Sequence, residues 1–264
     1  MKKIVLFIFL FVFSASLSAN VSFDISLHEM QSLYNGLHKI DLKHKSKNNQ
    51  VNQKNNHLDI LQLHYINKNN CDKILPNDGY YTTCYDYDAR GAKYVTYSLY
   101  GNLVNSVNIK KRPRFYPDLS VPAKYRSKYG DYTRNSYKMD RGHCYADASA
   151  DDNQRKLNSV YVMSNIIPQY FSINRDKDKW AGVERYERYM AVTLGTVNVV
   201  DGVVYGNHPK RIGRDQIAIP KAFWKIIYNR NRKFQRCFYF ENNREFTIGK
   251  HSIKDYLVDC SKLR

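Results

Sequence analysis

Two stretches, Asp140-Arg141-Gly142-His143 and Ser164-Asn165-Ile166-Ile167-Pro168-Gln169, are the most informative part of the chain. Side chains two positions apart on a β-strand point to the same face, so Arg141 and His143 would lie side by side on a strand. Gly142 between them lets the backbone turn or lie close to a neighbouring group. The first stretch therefore indicates a strand that presents a guanidinium and an imidazole together.

The whole chain is strongly basic. Its 264 residues include 42 Lys and Arg against 24 Asp and Glu, a formal net charge of +18, and 43% are hydrophobic. This composition supports a buried core and argues against a largely disordered chain. The charge favours polyanionic partners through counterion release and long-range attraction. Nucleic acids fit, but so do anionic membrane surfaces and lipopolysaccharide, so charge alone does not select the partner.

Residues 1–19 are typical of a secretory signal peptide. Lys2 and Lys3 precede an uncharged apolar run at residues 4–13, and small residues then lead to Ala19. The apolar run is short for a bilayer-spanning helix, so we expect cleavage near Ala19 rather than retention as an uncleaved anchor. The mature protein is then expected to be secreted or periplasmic, without stable membrane insertion.

Five cysteines fit an oxidising compartment. Cys71 and Cys84 flank a predicted turn, and Cys237 and Cys260 bracket the last segment. We predict the disulfides Cys71–Cys84 and Cys237–Cys260, one of the three pairings that four cysteines allow. Cys144 remains as a buried small hydrophobe. A Cys/His zinc site is the alternative, although the chain contains no Cys-x-x-Cys pair to support it.

The sequence divides into a signal segment, an N-terminal region at residues 20–70 and a main domain at residues 71–264. Within the N-terminal region, apolar residues recur at helical spacing between Phe23 and Ile40, which predicts an amphipathic helix. Residues 41–57 are polar and indicate a connector. Residues 58–65 fit a helix and a strand equally well.

The main domain mixes strand and helix patterns. The helix predicted by apolar spacing covers residues 180–192. A long surface loop is expected at residues 101–136. Strands are predicted at residues 80–85, 94–100, 159–163 and 223–228, together with a hairpin around Asp201-Gly202.

In this setting the motifs resemble those of the DNA/RNA non-specific endonucleases, a branch of the ββα-metal nucleases. The resemblance covers roughly residues 80–228. Beyond the two opening stretches it rests on Asn174, Trp180, Glu184, Gly206 and Ile219-Pro220-x-x-Phe223-x-Lys225. It implies an α+β fold, with a central antiparallel sheet flanked by helices and a ββα-metal finger carrying the active site. It also implies a non-specific endonuclease domain at residues 71–264.

The activity implied by the resemblance is metal-dependent hydrolysis of DNA and RNA phosphodiester bonds. Mg2+ is the expected cofactor, with Mn2+ as the alternative. Little sequence specificity is expected, and the products would carry 5′-phosphate ends. The oligomeric state does not follow from the sequence.

The resemblance makes His143 the general base. A neutral imidazole near its reference pKa of about 6.5 can take a proton from attacking water. Arg141 would hold a phosphate or offset charge in the transition state, with an ion pair to Asp140 or Glu184 as the alternative. Asn165 would orient His143 or the water network.

Asn174 resembles the family's single direct protein ligand to the metal. An amide oxygen suits a hard cation such as Mg2+, which commonly keeps several waters. The interval from Asn174 to Trp180 is longer and more charged than the usual family link. Asp176 or Asp178 could therefore join the metal shell.

Three further side chains complete the expected site. Glu184 lies one helical turn after Trp180, and the resemblance assigns it to holding water at the metal and an arginine. Arg188, one turn later, would bind the phosphate next to the scissile one. Arg112 or Arg114 would supply the remaining loop arginine, although a solvated basic loop explains both equally well.

Two other functions account for part of the pattern. A non-catalytic, basic nucleic-acid-binding protein on a nuclease-like scaffold would bind with strong salt dependence and no turnover. A lipopolysaccharide- or membrane-surface protein would use the charge but leave residues 140–143 unexplained. The intact set of His143, Asn165, Asn174 and Glu184 favours catalysis.

Overall fold

A computed structural model of the chain describes residues 58–133, 135–244 and 251–263. The expected signal peptide, the predicted helix between Phe23 and Ile40 and the connector at residues 41–57 lie outside these ranges. Within them, no helix is both long enough and apolar enough to span a bilayer.

The described residues form ten strands and four α-helices, joined by turns and short 3-10 segments. The strands are β1 (Lys73–Leu75), β2 (Tyr81–Asp86), β3 (Gly91–Tyr100), β4 (Asp140–His143), β5 (Ile166–Gln169), β6 (Thr196–Val204), β7 (Arg211–Ile212), β8 (Ile217–Ala218), β9 (Ala222–Asn229) and β10 (Phe234–Glu241). The helices are α1 (Ile60–Tyr65), α2 (Gln154–Val160), α3 (Phe171–Asn174) and α4 (Trp180–Leu194).

Six of these strands form a central antiparallel sheet in the order β1-β2-β3-β6-β9-β10. Two smaller sheets pair β4 with β5 and β7 with β8. The strands predicted at residues 80–85, 94–100 and 223–228 are confirmed, and so is the helix that begins at Trp180. The expected α+β class, with a central antiparallel sheet, is therefore correct.

Both faces of the central sheet are covered, which explains its nearly continuous apolar strands. Helix α4 packs on β3 and β6. Alternate residues of β9 point the other way, where Trp224 and Ile226 pack with Tyr65 of α1. Each such side chain stabilises the fold by about 1.5–3 kcal/mol through burial. Asp59 caps α1 with a capping box, so the undecided segment at residues 58–65 is helical from Ile60 to Tyr65.

Both predicted disulfides are present. Cys71–Cys84 joins the residues before β1 to β2, and Cys237–Cys260 joins β10 to the C-terminal segment. Each contributes about 2–4 kcal/mol, chiefly by restricting the unfolded chain. Cys144 is free and buried, as expected.

The strand predicted at residues 159–163 is wrong. Helix α2 continues to Val160, and Val162 makes only an isolated bridge to Tyr116. The apolar run is buried because it passes from the end of a helix into the interior. Asn153 caps α2 by accepting from two backbone N–H groups, and this preference of Asn for the N-cap was the sequence signal for a helix.

The hairpin predicted around Asp201-Gly202 is also wrong, because β6 runs without a turn from Thr196 to Val204. Gly202 is needed for close packing: a Cβ there would lie 1.9 Å from the Trp224 indole. Asp201 is buried and lies 3.3 Å from the Lys225 ammonium. Tertiary packing and this buried charge therefore override the turn preference of Asp-Gly.

Candidate active site

The candidate site is built on the β4–β5 pair. The two strands are antiparallel, with Asp140 opposite Gln169 and His143 opposite Ile166. Strand β5 is fully buried, so it fixes β4, whose ends remain partly accessible. Helix α2 lies in the connection between the two strands, and helices α3 and α4 follow β5, so the paired strands precede a helix as the predicted ββα arrangement requires.

Arg141 is held by aromatic rings. Its guanidinium lies 4.6 Å from the centre of the Tyr129 ring and 5.4 Å from that of Phe115. Its Nε is buried, and among the described residues it has no hydrogen-bond partner. Asp140, one proposed ion-pair partner, instead binds Arg175. A stacked guanidinium with an unused donor suits a phosphate.

His143 lies between two aromatic side chains. Its ring centre is 5.5 Å from that of Phe115 and 5.0 Å from that of Tyr161, which meets it edge-on. Burial lowers the pKa of His143 to about 4, while the negative charge of Asp147 opposes this shift. The imidazole is therefore neutral near pH 7. Its Nε2 is buried and has no hydrogen-bond partner within the described ranges.

The backbone around His143 is fixed by two side chains. The Trp180 indole Nε1 donates to the His143 carbonyl oxygen at 3.4 Å. The Asn165 amide accepts from the Tyr145 N–H at 3.0 Å and donates to the carbonyls of Tyr145 and Val160. Asn165 thus shapes the turn just after His143 through the main chain and makes its hydrogen bonds there.

Asn174 is oriented by Asp140 at the other end of β4. Its Nδ2 donates to Asp140 Oδ2 at 3.1 Å. Arg175 binds the same carboxylate at 2.7 and 2.6 Å. If the Asn174 amide were turned over, its oxygen would face the Asp140 carboxylate and be repelled by the negative charge. The Nδ2 group therefore points towards Asp140. The amide oxygen is left directed away, where it can act as a ligand.

Asp176, in the loop after Asn174, makes local contacts. Asp176 accepts from the Asp178 backbone N–H at 2.9 Å and lies 3.9 Å from the Lys179 ammonium. In the described part of the chain, no three His, Cys, Asp or Glu side chains group as a metal site. The oriented amide oxygen of Asn174 fits a divalent cation that keeps most of its waters.

Helix α4 carries the two remaining predicted side chains. Burial raises the pKa of Glu184 to about 7, opposed by the positive charge of Lys225. Arg188 donates to Ser149 Oγ at 3.2 Å. Glu184 and Arg188 are one turn apart and therefore lie on the same side of the helix.

The structure distinguishes the two loop arginines. Arg112 pairs with Asp147 at 2.9 Å and with Asp151 at 3.0 Å. The charges of Arg112 and Asp147 both act on His143, so Arg112 lies near the imidazole. Arg114 is exposed to solvent. Arg112 is therefore the loop arginine brought to the site.

Several site residues were not found from the sequence. Phe115 and Tyr161 flank His143, and Asp147 supplies a nearby charge. Gln169 is fully buried behind Gly142, and its amide atoms have no partner within the residues described. No regular spacing joins these positions, because loop packing brings them together.

A short antiparallel strand pair followed by helices, with a histidine on the first strand and an oriented amide beyond the second, is the architecture of the ββα-metal nucleases. The fold and the site place the protein in this class.

The model of the DNA/RNA non-specific endonuclease family matches residues 63–264, and the chain belongs to this family. It is 27% identical over 157 residues to the mitochondrial Endonuclease G of Bos taurus, covering 56% of this chain and 51% of that protein. It is 26% identical over 172 residues to a salivary endonuclease of Culex quinquefasciatus, covering 62% and 47%. The chain spans about half the length of these curated relatives.

The fold also matches a solved structure. EndoG in its complex with EndoGI superposes with a TM-score of 0.61 at 25% sequence identity, covering 69% of this chain and 79% of that chain. The family resemblance inferred from the motifs is therefore confirmed.

Proposed function

We propose that the protein is an exported, Mg2+-dependent endonuclease that hydrolyses the phosphodiester bonds of both DNA and RNA. The observation that carries this proposal is the pair of side chains on β4. His143 Nε2 and Arg141 Nε are buried without hydrogen-bond partners in the described residues, and both side chains contact Phe115. Buried polar atoms normally have partners, and a substrate phosphate with its attacking water would supply them.

His143 acts as the general base in this proposal. Its Nε2 takes a proton from water as the water oxygen attacks phosphorus. The bond from phosphorus to the 3′-oxygen then breaks, and the 3′-oxygen takes a proton from solvent, leaving 5′-phosphate and 3′-hydroxyl ends. Arg141 binds the phosphate oxygens and compensates the charge that develops on them.

The oriented amide oxygen of Asn174 would hold the divalent cation, Mg2+ or alternatively Mn2+. When bound, this cation supplies Lewis-acid stabilisation of the developing negative charge. Glu184 would hold water and an arginine of the site, and Asn165 would keep His143 in position. Arg188 would bind the phosphate beside the scissile one.

Both DNA and RNA fit such a site because its recognition depends on phosphates. Phosphate contacts position a nucleic acid but carry no sequence information directly. The formal net charge of +18 adds sequence-independent attraction. Little sequence preference should result.

Export is supported by this chain's own sequence. Residues 1–19 have the pattern of a signal peptide, and the two disulfides suit an oxidising compartment. Its relatives have names that place them in mitochondria or saliva, so they do not select one location. N-terminal sequencing of the protein from fractionated cells tests the proposal. A mature chain starting near Asn20 supports export, and a fully retained Met1 contradicts it.

The activity is tested with purified mature protein, supercoiled plasmid and RNA, in Mg2+ or in EDTA. We expect both substrates to be degraded in Mg2+ only, with 5′-phosphates on the product ends. Salt-sensitive binding without cleavage in Mg2+ or Mn2+ would instead identify a non-catalytic binding protein. Undiminished cleavage in EDTA would contradict the metal requirement.

A further inference from the structure

A group of buried polar side chains lies between the central sheet and helix α4, apart from the β4 strand. We call Lys225, Glu187, Asp201 and Tyr97 the lysine cluster; each is at most 1% exposed. The Lys225 ammonium lies 2.6 Å from Glu187 Oε2, 2.8 Å from the Tyr97 hydroxyl and 3.3 Å from Asp201 Oδ1. The ammonium donates hydrogen bonds to Glu187 and Tyr97, and Asp201 adds an ion-pair contact, so these three neighbours fix its position.

One set of contacts leads from the lysine cluster to the catalytic strand. The Lys225 ammonium lies 4.8 Å from the centre of the Trp180 ring, a cation–π contact. The indole Nε1 of Trp180 donates to the carbonyl oxygen of His143. The charge of Lys225 on one face of the Trp180 indole thus holds the ring in the orientation in which its Nε1 donates to His143.

A second set of contacts leads to the phosphate-binding arginine. Glu187 accepts from Lys225 and from the Tyr97 hydroxyl through Oε2. Its other oxygen, Oε1, accepts from the Ser149 hydroxyl at 3.1 Å. Ser149 Oγ in turn accepts from Arg188 at 3.2 Å.

We infer that Lys225 is a positioning residue that holds both His143 and Arg188 in place, through Trp180 and through Glu187 with Ser149. Among the described residues, the contacts of the lysine cluster reach these two residues through Trp180 and through Ser149, and the charge of Lys225 also acts on Glu184. This inference rests on the proposed nuclease function. It predicts that the contact through Trp180 affects turnover, whereas the contact through Ser149 affects the affinity for substrate.

Each connection can be cut without removing the buried charge. Trp180→Phe keeps an aromatic ring over Lys225 but removes the donor to His143. Ser149→Ala removes the hydroxyl between Glu187 and Arg188. Ile226→Ala, on the opposite face of β9, is the matched control: Ile226 is fully buried, so its truncation lowers stability without touching the lysine cluster.

The measurements are kcat on plasmid in Mg2+, Kd for a labelled single-stranded oligonucleotide in EDTA, and Tm. We expect Trp180→Phe to lower kcat about tenfold with Kd unchanged, the effect of one lost hydrogen bond in a polar site. Ser149→Ala should raise Kd about tenfold, with kcat at saturating substrate nearly unchanged. Ile226→Ala should lower Tm and leave kcat and Kd as in the parent.

Two results would overturn the inference while leaving the nuclease function intact. One is an active parent enzyme whose Trp180→Phe and Ser149→Ala variants both keep the parental kcat and Kd. The other is a change in kcat or Kd, in both variants, that is no larger than the change Ile226→Ala shows for the same loss of Tm. A parent protein that binds the oligonucleotide but never cleaves refutes the proposed function, and the turnover role of Trp180 with it.

Discussion

The protein buries two groups of ionisable side chains, and they differ in what their polar atoms contact. In the lysine cluster, the Lys225 ammonium is surrounded by Glu187, Asp201 and Tyr97. Asp201 faces this ammonium at ion-pair distance, although its carboxylate oxygens accept no hydrogen bond among the described residues. On β4, the buried atoms without a hydrogen bond are Arg141 Nε and His143 Nε2, again within the described residues. A charge with its partners inside the protein supports the fold. A buried donor or acceptor left open is costly to folding and is available to a ligand.

The largest expected effect is a loss of stability when the cation is removed from the lysine cluster. Lys225→Met leaves Glu187 and Asp201 buried without their cation, which should destabilise the protein by about 3–5 kcal/mol. Urea unfolding measures the change. Lys68→Met, the same substitution at an exposed lysine, should stay within about 0.5 kcal/mol of the parent. Equal stability of the two variants would mean that the cluster does not support the fold.

On β4, we expect the substitution of His143 to affect the cleavage rate more than stability. His143→Ala should lower plasmid cleavage by roughly 10²-fold or more, the usual scale for a lost general base. It should lose stability only through the ring contacts with Phe115 and Tyr161, because the removed Nε2 has no hydrogen-bond partner in the described structure. His64→Ala, at an exposed histidine, provides the control. Cleavage at the parental rate by His143→Ala would show that the base is another group.

A magnesium titration separates the possible metal ligands. Asn174→Ala should need far more Mg2+ for half-maximal rate, because it removes the oriented amide oxygen. Asp176→Asn and Asp178→Asn should titrate like the parent, since Asp176 already serves the loop backbone. An Asn174→Ala enzyme with normal rate and normal magnesium requirement would refute the assignment, and a raised requirement in either Asn variant would identify an additional ligand.

The smallest expected effect is a shift in pH dependence. Burial lowers the pKa of His143 to about 4, so its basic form is present from pH 6 to 8 and should cause no rise in kcat near its reference value of about 6.5. Between about 6.5 and 4 the unfolded chain binds the extra proton, so His143 lowers stability as pH falls through this window. Melting temperatures should therefore drop less on acidification in His143→Ala. A midpoint in kcat near pH 6.5 that disappears in His143→Ala would contradict this.

Local sequence order predicted which of the candidate site residues share an element, whereas the family resemblance supplied their expected roles. Arg141 and His143 share β4, and Glu184 and Arg188 share α4, because each pair follows from the period of one element. The disulfide pairing also followed from position in the chain. These features depend on neighbours in sequence, which a single chain displays directly.

Features set by distant packing were not predicted. The aromatic rings around His143 come from a loop and from the end of α2, so the low pKa of the imidazole was missed. Asp201-Gly202 favours a turn locally, yet Trp224 and Lys225 from a neighbouring strand hold it within β6. The lysine cluster joins three strands and a helix, and no spacing in the sequence indicates that they meet.

The two disulfides lie at opposite margins of the central sheet. Cys84 is on β2 beside the three-residue margin strand β1. Cys237 is on the other margin strand, β10, and its partner Cys260 holds the segment whose Val258 N–H donates to the Cys237 carbonyl. Unpaired margin strands invite pairing with other chains. The two crosslinks thus anchor a chain segment at each edge of the central sheet, next to the strands that would otherwise be most open to pairing with another chain.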